Sequence, residues 1–301
     1  MYCYEAIDTF MGIALAELLE LIDQVFPPET AVDGDVTGLQ LQAGRTKVGS
    51  VLVCLDVTEE VVAEARSQEY DVLISFHPLL FQPLRALTEA ERVGQLSTLL
   101  IQSRVALIAL HTRVDAHPRG TNALFAHALG MRIRGPLLPN PRCPGYGMGV
   151  IAELEAAIPV EELLERVQRC VRQPLRYVPG KAEYIHTVAI VGGSGSAFLA
   201  EAMQQRVDAF ITGDVKYHAF HQARHHLWLV DAGHAETECF APEAIVGLLR
   251  QHLPPNIRLG TAESSCSPIR WYGFYSGQVG SITSSTVDAE PGVLSGTHRC
   301  D

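Results

Sequence analysis

The chain alternates short apolar segments with amphipathic ones, and it does so in both halves. Apolar runs typical of buried strands occur at 51–56, 71–75, 105–110, 149–154, 187–191, 208–211 and 227–231. Amphipathic segments typical of helices occur at about 5–25, 58–67, 89–102, 122–129 and 160–171. Strands that alternate with helices form parallel sheets flanked by helices. We therefore predict an α/β protein with two related lobes of mainly parallel sheet, whose strand ends face a common cleft.

A segment rich in Pro and Gly at 136–149 separates the two halves. We place the N-terminal lobe at residues 1–135 and the C-terminal lobe at residues 136–272. From Gly273 onward the chain is rich in Gly, Ser and Thr and has few large apolar residues. We expect residues 273–301 to be a disordered extension, because such a composition buries too little apolar surface to fold.

Composition excludes several classes of protein. The 301 residues carry 23 basic and 34 acidic side chains, a net charge of -11, which argues against non-specific nucleic-acid binding but allows a small phosphate ligand. No apolar stretch approaches the ~20 uncharged residues of a membrane span. The 7 cysteines show no Cys-x-x-Cys spacing. We expect a cytoplasmic protein with reduced thiols and no membrane contact.

Polar turns follow three of the apolar runs and contain metal-ligand side chains. These side chains are His77, His111, Asp115, His234 and Glu238. Each turn lies at a strand carboxyl end, where open α/β sheets bind their ligands. Imidazoles and carboxylates are typical ligands of zinc, iron or manganese. A single histidine at a strand end is more often a satisfied polar group or a cap, but the set together indicates a metal site.

Two further features allow alternatives. The loop Gly192–Gly195 lies between a strand and a helix and could bind a phosphate on its backbone N–H groups. It lacks both the G-x-G-x-x-G pattern and the Walker lysine, which favours a simple tight turn. Glu236 is a spare carboxylate beside His234, and is either a general base or merely exposed.

Five motifs in order make the chain recognisable. They are VLVCLDVTEEVVAEARSQEYDVLISFHPLLFQPL at 51–84, HTRVDAHPRGTN at 111–122, GGSG at 192–195, TGDVKYH at 212–218 and DAGHAETECF at 231–240. With them the chain resembles the GTP cyclohydrolase 1 type 2 homologue family, the NIF-three-like proteins, over about residues 11–272. The resemblance is to the short form, without an inserted domain. It implies a two-lobed α/β protein with a dinuclear metal site in the cleft, commonly assembled as a ring-shaped hexamer.

Carried over position by position, the resemblance implies that the metal ligands are His77, Asp115, His234 and Glu238. It puts His111 at or beside the site. We name His111 and Glu236 as the candidate catalytic residues. We expect the four ligands to converge on one coordination sphere although they come from both lobes.

The chain departs from the family pattern in two places. Phe76 occupies the position of a histidine that usually precedes the one at His77, and a phenylalanine cannot ligate a metal. In the N-terminal Trp-Asp-Asn-x-Gly-Leu signature, three positions are kept and two are changed: Asp35, Gly38 and Leu39 remain, whereas Gly34 and Val36 replace the tryptophan and the asparagine. We expect one of the two metal sites to be weakened.

These observations lead to a functional hypothesis and a rival. We expect a divalent-metal-binding protein with one or two ions (Zn, Fe or Mn) per chain that hydrolyses a nucleotide or another phosphate-bearing small molecule, and that forms a homo-oligomer. The family name implies opening of the purine ring of GTP, although no motif here specifies a purine. The alternative is a non-enzymatic metal-binding, interaction or regulatory protein with a degenerate site, and Phe76 favours this alternative.

Overall fold

The computed structural model describes residues 12–264 and 267–269. They divide into two compact units, the first containing 12–117 and 241–264 and the second containing 118–240 and 267–269. The predicted extension at 273–301 lies outside the described residues.

The first unit is built on a five-stranded sheet. In spatial order its strands are β13 (Arg258–Thr261), β4 (Ser50–Cys54), β5 (Val72–Ser75), β6 (Ala106–Ala109) and β2 (Gly38–Leu41). The first four strands are parallel, and β2 pairs antiparallel with β6. A two-stranded ribbon pairs β1 (Ile13–Ala14) with β3 (Lys47–Val48). All residues of β4, β5 and β6 are buried, as the continuous apolar runs predict.

Three helices of the first unit lie within the amphipathic segments predicted at about 5–25, 58–67 and 89–102, although the first begins only at Leu15, after β1. Two further helices, after His111 and after Phe240, lie outside the predicted segments. The helices of this unit are α1 (Leu15–Val25), α2 (Glu59–Ser67), α3 (Arg92–Gln102), α4 (Thr112–Asp115) and α10 (Ala241–Leu249), with a 3₁₀ turn at Pro28–Thr30. Thr58 caps α2, because its side chain accepts a hydrogen bond from the Val61 N–H at 3.3 Å.

The second unit is built on a six-stranded sheet. In spatial order its strands are β7 (Arg132–Pro139), β8 (Gly147–Pro159), β10 (Tyr184–Ile190), β11 (Ala209–Thr212), β12 (Trp228–Asp231) and β9 (Arg176–Val178). Strands β10, β11 and β12 are parallel, whereas β7, β8 and β9 join by antiparallel pairing. The parallel strands that position functional residues are thus the three predicted from their apolar runs.

The helices of the second unit are α5 (Thr121–Ala128), α6 (Val160–Val171), α7 (Leu199–Gln204), α8 (Tyr217–Ala223) and α9 (His234–Glu238), with a 3₁₀ turn at Ser196–Phe198. Helix α6 has the predicted bounds. Its buried residues recur every three to four positions, and the helix ends at Arg172 in the left-handed conformation.

Both faces of the second sheet are buried, by different side chains of the same strands. Along β10, Val188 and Ile190 pack in one apolar cluster, whereas Ala189 packs in the other with Phe210 and Leu229. Because successive strand residues point to opposite faces, this alternation requires a nearly continuous apolar run.

The units divide the chain differently from the predicted lobes. The Pro- and Gly-rich segment contains the second half of β7, an edge strand that tolerates Pro136 and Pro139 because one side of an edge strand needs no backbone donors. Residues 241–264 belong to the first unit, since β13 pairs with β4. Sequence periodicity cannot reveal such a return, because pairing partners lie far apart along the chain.

The two units contain the same carboxylate clamp at the amino ends of their parallel strands. Asp71 Oδ2 accepts from the Ser50 N–H at 3.1 Å and the Ser50 hydroxyl at 3.2 Å. Asp208 Oδ2 accepts from the Thr187 N–H at 2.8 Å and the Thr187 hydroxyl at 3.0 Å. Each pair precedes equivalent strand partners, Val51 with Val72 and Val188 with Ala209. The two units therefore share this feature of their parallel strands.

Among residues 12–264 and 267–269, no helix has the length and apolar character needed to cross a bilayer.

We predict that Asp71→Asn lowers the free energy of unfolding by about 1–3 kcal/mol, because the amide leaves backbone N–H groups of a buried turn without a full acceptor. Urea denaturation followed by circular dichroism measures the change. Glu89→Gln, on an exposed loop, should stay within about 0.5 kcal/mol of wild type. An Asp71→Asn protein as stable as the control would contradict the clamp.

Candidate metal centre

His77 follows β5 and is oriented by a carboxylate from the neighbouring strand. Its Nδ1 lies 3.0 Å from Oδ1 of Asp56, which follows β4. The His77 N–H also donates to the Leu55 carbonyl at 2.9 Å, so the backbone of the turn is fixed. With Nδ1 engaged, Nε2 is the nitrogen that a metal can use, which is the usual arrangement of metal-binding histidines.

His111 follows β6 and is held in the same way. Its Nδ1 lies 2.7 Å from Oδ1 of Asp35, and the Thr112 N–H donates to Oδ2 at 3.3 Å. Burial alone would raise the pKa of Asp35, but the hydrogen bonds from His111 and Thr112 outweigh it and lower the pKa below its ordinary value. His111 has a φ of 40°, a conformation that a non-glycine residue adopts at a cost. The retained aspartate of the N-terminal signature thus orients a histidine.

Phe76 packs against both of these imidazoles. Its ring centroid lies 5.0 Å from that of His77 and 5.6 Å from that of His111, in edge-on geometry. The centroids of His77 and His111 are themselves 5.6 Å apart. Phe76 is fully buried. Phe76, which the resemblance places at a ligand position of the family, therefore forms an apolar wall beside two imidazoles.

Asp115 ends the short helix α4, four residues after His111, and its side chain is buried. The helix is anchored by Arg113, which is 2% exposed. The Arg113 Nε donates to the Phe26 carbonyl at 2.7 Å and its Nη2 pairs with Asp23 at 2.6 Å. This anchor joins α4 to the end of α1 and fixes the segment between two of the predicted site residues.

In the second unit, His234 is held between two carboxylates. Its Nδ1 lies 2.6 Å from Oδ2 of Asp214, and its Nε2 lies 3.0 Å from Oε2 of Glu238. His234 and Glu238 face each other because they are one turn apart on α9. The predicted pair of ligands is thus brought together, and the spacing of four residues is explained.

The hydrogen bond and ion pair with Glu238, helped by Asp214, raise the pKa of His234 to about 9, although burial acts in the opposite direction. Glu238 is 4% exposed, so the protonated imidazole compensates a buried carboxylate. A metal ion can replace this proton, since it binds the same nitrogen and the same oxygen.

The loop Gly192–Gly195 supports this pair and does not offer its N–H groups to a phosphate. The Gly192 N–H donates to Asn122 Oδ1 at 2.7 Å, and the Gly193 N–H donates to Thr237 Oγ1 at 2.9 Å. A Cβ at Gly193 would lie 2.0 Å from Glu238 Oε1, and φ there is +61°. These glycines therefore allow the backbone to approach the carboxylate closely, which agrees with the tight-turn interpretation.

Glu236 is half-buried and folds back over the turn that precedes α9. A Cβ at Gly233, where φ is +87°, would lie 2.4 Å from Glu236 Oε2 and 1.9 Å from Gln173 Nε2. Its proposed role as a general base stays a prediction.

The motifs in the sequence do not identify Asp56 and Asp214 as site residues. Both follow parallel strands that neighbour the strand of their histidine: β4 beside β5, and β11 beside β12. The signal that could have identified them is an aspartate at or shortly after the end of a predicted buried strand, combined with the strand order.

The fold and these side chains define a class of protein: an α/β protein with two units, each with carboxylate-held histidines at the carboxyl ends of parallel strands. The profile of the family Duf34/NIF3 (NGG1p interacting factor 3) matches residues 13–268. The chain belongs to this family, which confirms the resemblance stated from its motifs.

Similarity to curated proteins supports the same family. A "GTP cyclohydrolase 1 type 2 homolog" of Nostoc sp. is 30% identical over 241 residues, covering 78% of this chain and 91% of the relative. The protein of that name from Streptococcus pneumoniae is 31% identical over 242 residues, covering 78% and 90%. A hypothetical protein of Staphylococcus aureus has a similar structure, with a TM-score of 0.79 and 28% identity over 86% of this chain and 99% of that one.

We predict that, in metal-free protein, His234 titrates at about pH 9 and that Glu238→Gln lowers its pKa toward 6.5, since the ion pair is lost. The raised pKa means that the pair stabilises the folded protein fully below pH 6.5, and that this contribution is lost as the pH rises through about 9. An NMR titration of the imidazole protons measures both.

Gly193→Ala should act in the same direction, because its methyl group displaces the Glu238 carboxylate. Glu243→Gln, an exposed substitution on α10, is the control and should leave the titration unchanged. A wild-type His234 that titrates near its ordinary value would contradict the described geometry.

Proposed function

We propose that the protein binds a divalent metal ion through His77, His234 and Glu238. Asp115 is proposed as a further carboxylate ligand, and His111 lies at or beside the site. One observation carries this proposal: His77, His111 and His234 each have Nδ1 held by an aspartate. This arrangement sets the tautomer and leaves Nε2 for a metal.

The donor set fits zinc, iron or manganese. Imidazole nitrogens and carboxylate oxygens suit all three ions, and the three ions differ more in geometry and availability than in the ligands they accept. A buried carboxylate such as Glu238 needs a compensating positive charge, which the proton on His234 provides in the metal-free protein. We infer that metal binding releases this proton and strengthens as the pH rises.

The reaction we propose is hydrolysis of a nucleotide or of another phosphate-bearing small molecule. When bound, a divalent ion polarises the attacked group and lowers the pKa of a water molecule toward about 7. His111 and Glu236 are the proposed proton-transfer residues. Asp35 engages Nδ1 of His111, so proton exchange with a substrate would take place at Nε2. The name of these relatives, GTP cyclohydrolase 1 type 2 homolog, supports a nucleotide as the first substrate to test.

A second candidate function is a non-enzymatic metal-binding, interaction or regulatory role. The buried ring of Phe76, packed against His77 and His111, favours it, because an apolar wall occupies a position that supplies a ligand in the family. Assembly as a homo-oligomer stays a prediction under either function.

We predict that the wild-type protein retains clearly less than two metal ions per chain after dialysis against a weak chelator. Phe76→His should raise the stoichiometry or the affinity at the second position, because the backbone there is already placed beside His77. His77→Ala should lower binding at the surviving position by about 10-fold or more. Elemental analysis of the three proteins, purified without a tag, measures the metal content.

Tyr184→His is the matched control, since it adds a histidine at a position that is 61% exposed in the second unit. It should leave the stoichiometry unchanged. Two ions retained by the wild type, with no change in Phe76→His, would show that another residue has replaced the lost ligand.

We further predict metal-dependent turnover of at least one compound in a screen of nucleotides and phosphate esters. Glu236→Gln should lower kcat by about 10²-fold or more if it is the general base, and its metal content should stay at the wild-type level. A tightly bound metal with no turnover across the screen would favour the non-enzymatic function.

A further inference from the structure

Asp231 is a buried carboxylate that none of the proposed metal-site roles uses. It ends β12, and its side chain is 5% exposed. Its Oδ1 accepts a hydrogen bond from the Gly233 N–H at 3.2 Å, and its Oδ2 accepts one from the Val215 N–H at 3.1 Å. One side chain thus binds the backbones of two separate loops.

These two loops carry the two partners of a histidine–carboxylate pair. Gly233 directly precedes His234, and Val215 directly follows Asp214. The distance of 2.6 Å between His234 Nδ1 and Asp214 Oδ2 therefore depends on how the two backbones are held. Asp231 holds both backbones, one through each carboxylate oxygen.

Arg176 completes the connection from the edge strand β9. Its Nη2 donates to Asp231 Oδ2, and also to the Val215 carbonyl at 3.1 Å. Val215 is therefore fixed at its N–H by Asp231 and at its carbonyl by Arg176. The guanidinium also compensates the charge of the buried carboxylate.

The two loops have little room to shift. A Cβ at Gly213 would lie 2.5 Å from the Gly233 carbonyl oxygen and 2.9 Å from the Gly193 carbonyl oxygen. The Gly213 N–H donates to the Gly193 carbonyl at 2.7 Å. Because backbone contacts backbone here, a small movement of one loop is transmitted to the others.

The first unit orients His111 through a different arrangement of hydrogen bonds. The strand position equivalent to Asp231 is Ala109, since Ser75 pairs with Ala109 and Thr212 pairs with Asp231. There Asp35, from outside the sheet, contacts the imidazole of His111 directly and also binds the backbone of Thr112. In the second unit these two tasks are divided between Asp214, which contacts the ring, and Asp231, which holds the backbones.

We propose that Asp231, supported by Arg176, is a positioning residue for His234. It sets the direction of the imidazole, and hence of Nε2, without contacting the ring itself. Its effect on the ring concerns the metal-free protein, whereas its effect on metal affinity rests on the proposed metal site.

The test compares Asp231→Asn with Asp208→Asn in the full chain. Asp208 is a matched control: it lies in the same sheet and accepts three hydrogen bonds from His186 and Thr187, but at the opposite, amino-terminal end of the parallel strands. Both variants should lower the melting temperature. Only Asp231→Asn should change the nitrogen and proton shifts of the His234 ring in long-range ¹H–¹⁵N spectra of metal-free protein.

Zinc affinity, measured by competition with a chelator, provides the second reading. Asp231→Asn should weaken zinc binding about 10- to 100-fold, as loss of an orienting group does elsewhere, and Asp208→Asn should change it less than about 2-fold. Arg176→Ala should weaken it by a smaller factor, and Arg176→Lys should restore most of the loss.

Unchanged His234 signals in Asp231→Asn, or equal changes in both aspartate variants, would overturn the proposal. If Asp231→Asn does not fold, the same spectra of Arg176→Ala and Arg176→Lys test the proposal. It predicts that the His234 ring signals shift in Arg176→Ala and return toward wild type in Arg176→Lys. If the wild type binds no zinc but the ring signals still respond to Asp231→Asn alone, the positioning role stands and the proposed metal function fails.

Discussion

The candidate site depends on one interaction, the hydrogen bond between a histidine Nδ1 and a carboxylate. It occurs for His77 with Asp56, for His111 with Asp35 and for His234 with Asp214. Each bond sets the tautomer and the direction of Nε2, which decides whether the ring can serve a metal or a proton transfer. Without it, an imidazole at a strand end would sample several rotamers, and the entropy of ordering it would count against ligand binding.

Parallel strands make these pairs possible, because they bring the turns that follow them to one edge of the sheet. In the second unit, glycines allow the turns to pack closely against one another. Gly193 approaches Glu238, and Gly233 leaves room for Gln173 and Glu236, at positions where any side chain would collide. Their backbone N–H groups are used within the protein, by Thr237 and by Asp231. The glycines thus serve close packing around His234, and this packing explains why a Gly-rich loop between strand and helix need not bind phosphate.

Phe76 determines the packing and the polarity around His77 and His111 in the first unit. Its apolar ring packs edge-on against the rings of His77 and His111, which also contact each other. A phenylalanine buried completely against two imidazoles stabilises their orientation while lowering the polarity around them. That Phe76 weakens one of the two metal sites stays a prediction, and the measured metal content of the wild type and of Phe76→His decides it.

Much of this could be predicted from the sequence alone. Apolar periodicity determined the alternation of strand and helix, including the bounds of α6, because burial acts over a few neighbouring residues. Motif order determined the family, and the chemistry of the turns determined the donor types. Only the tertiary structure decided the partner of each donor. Asp56 and His77 are 21 residues apart, Asp214 and His234 are 20 apart, and Asp35 and His111 are 76 apart. Such pairs depend on strand order, which is set by long-range packing and leaves no local pattern in the sequence.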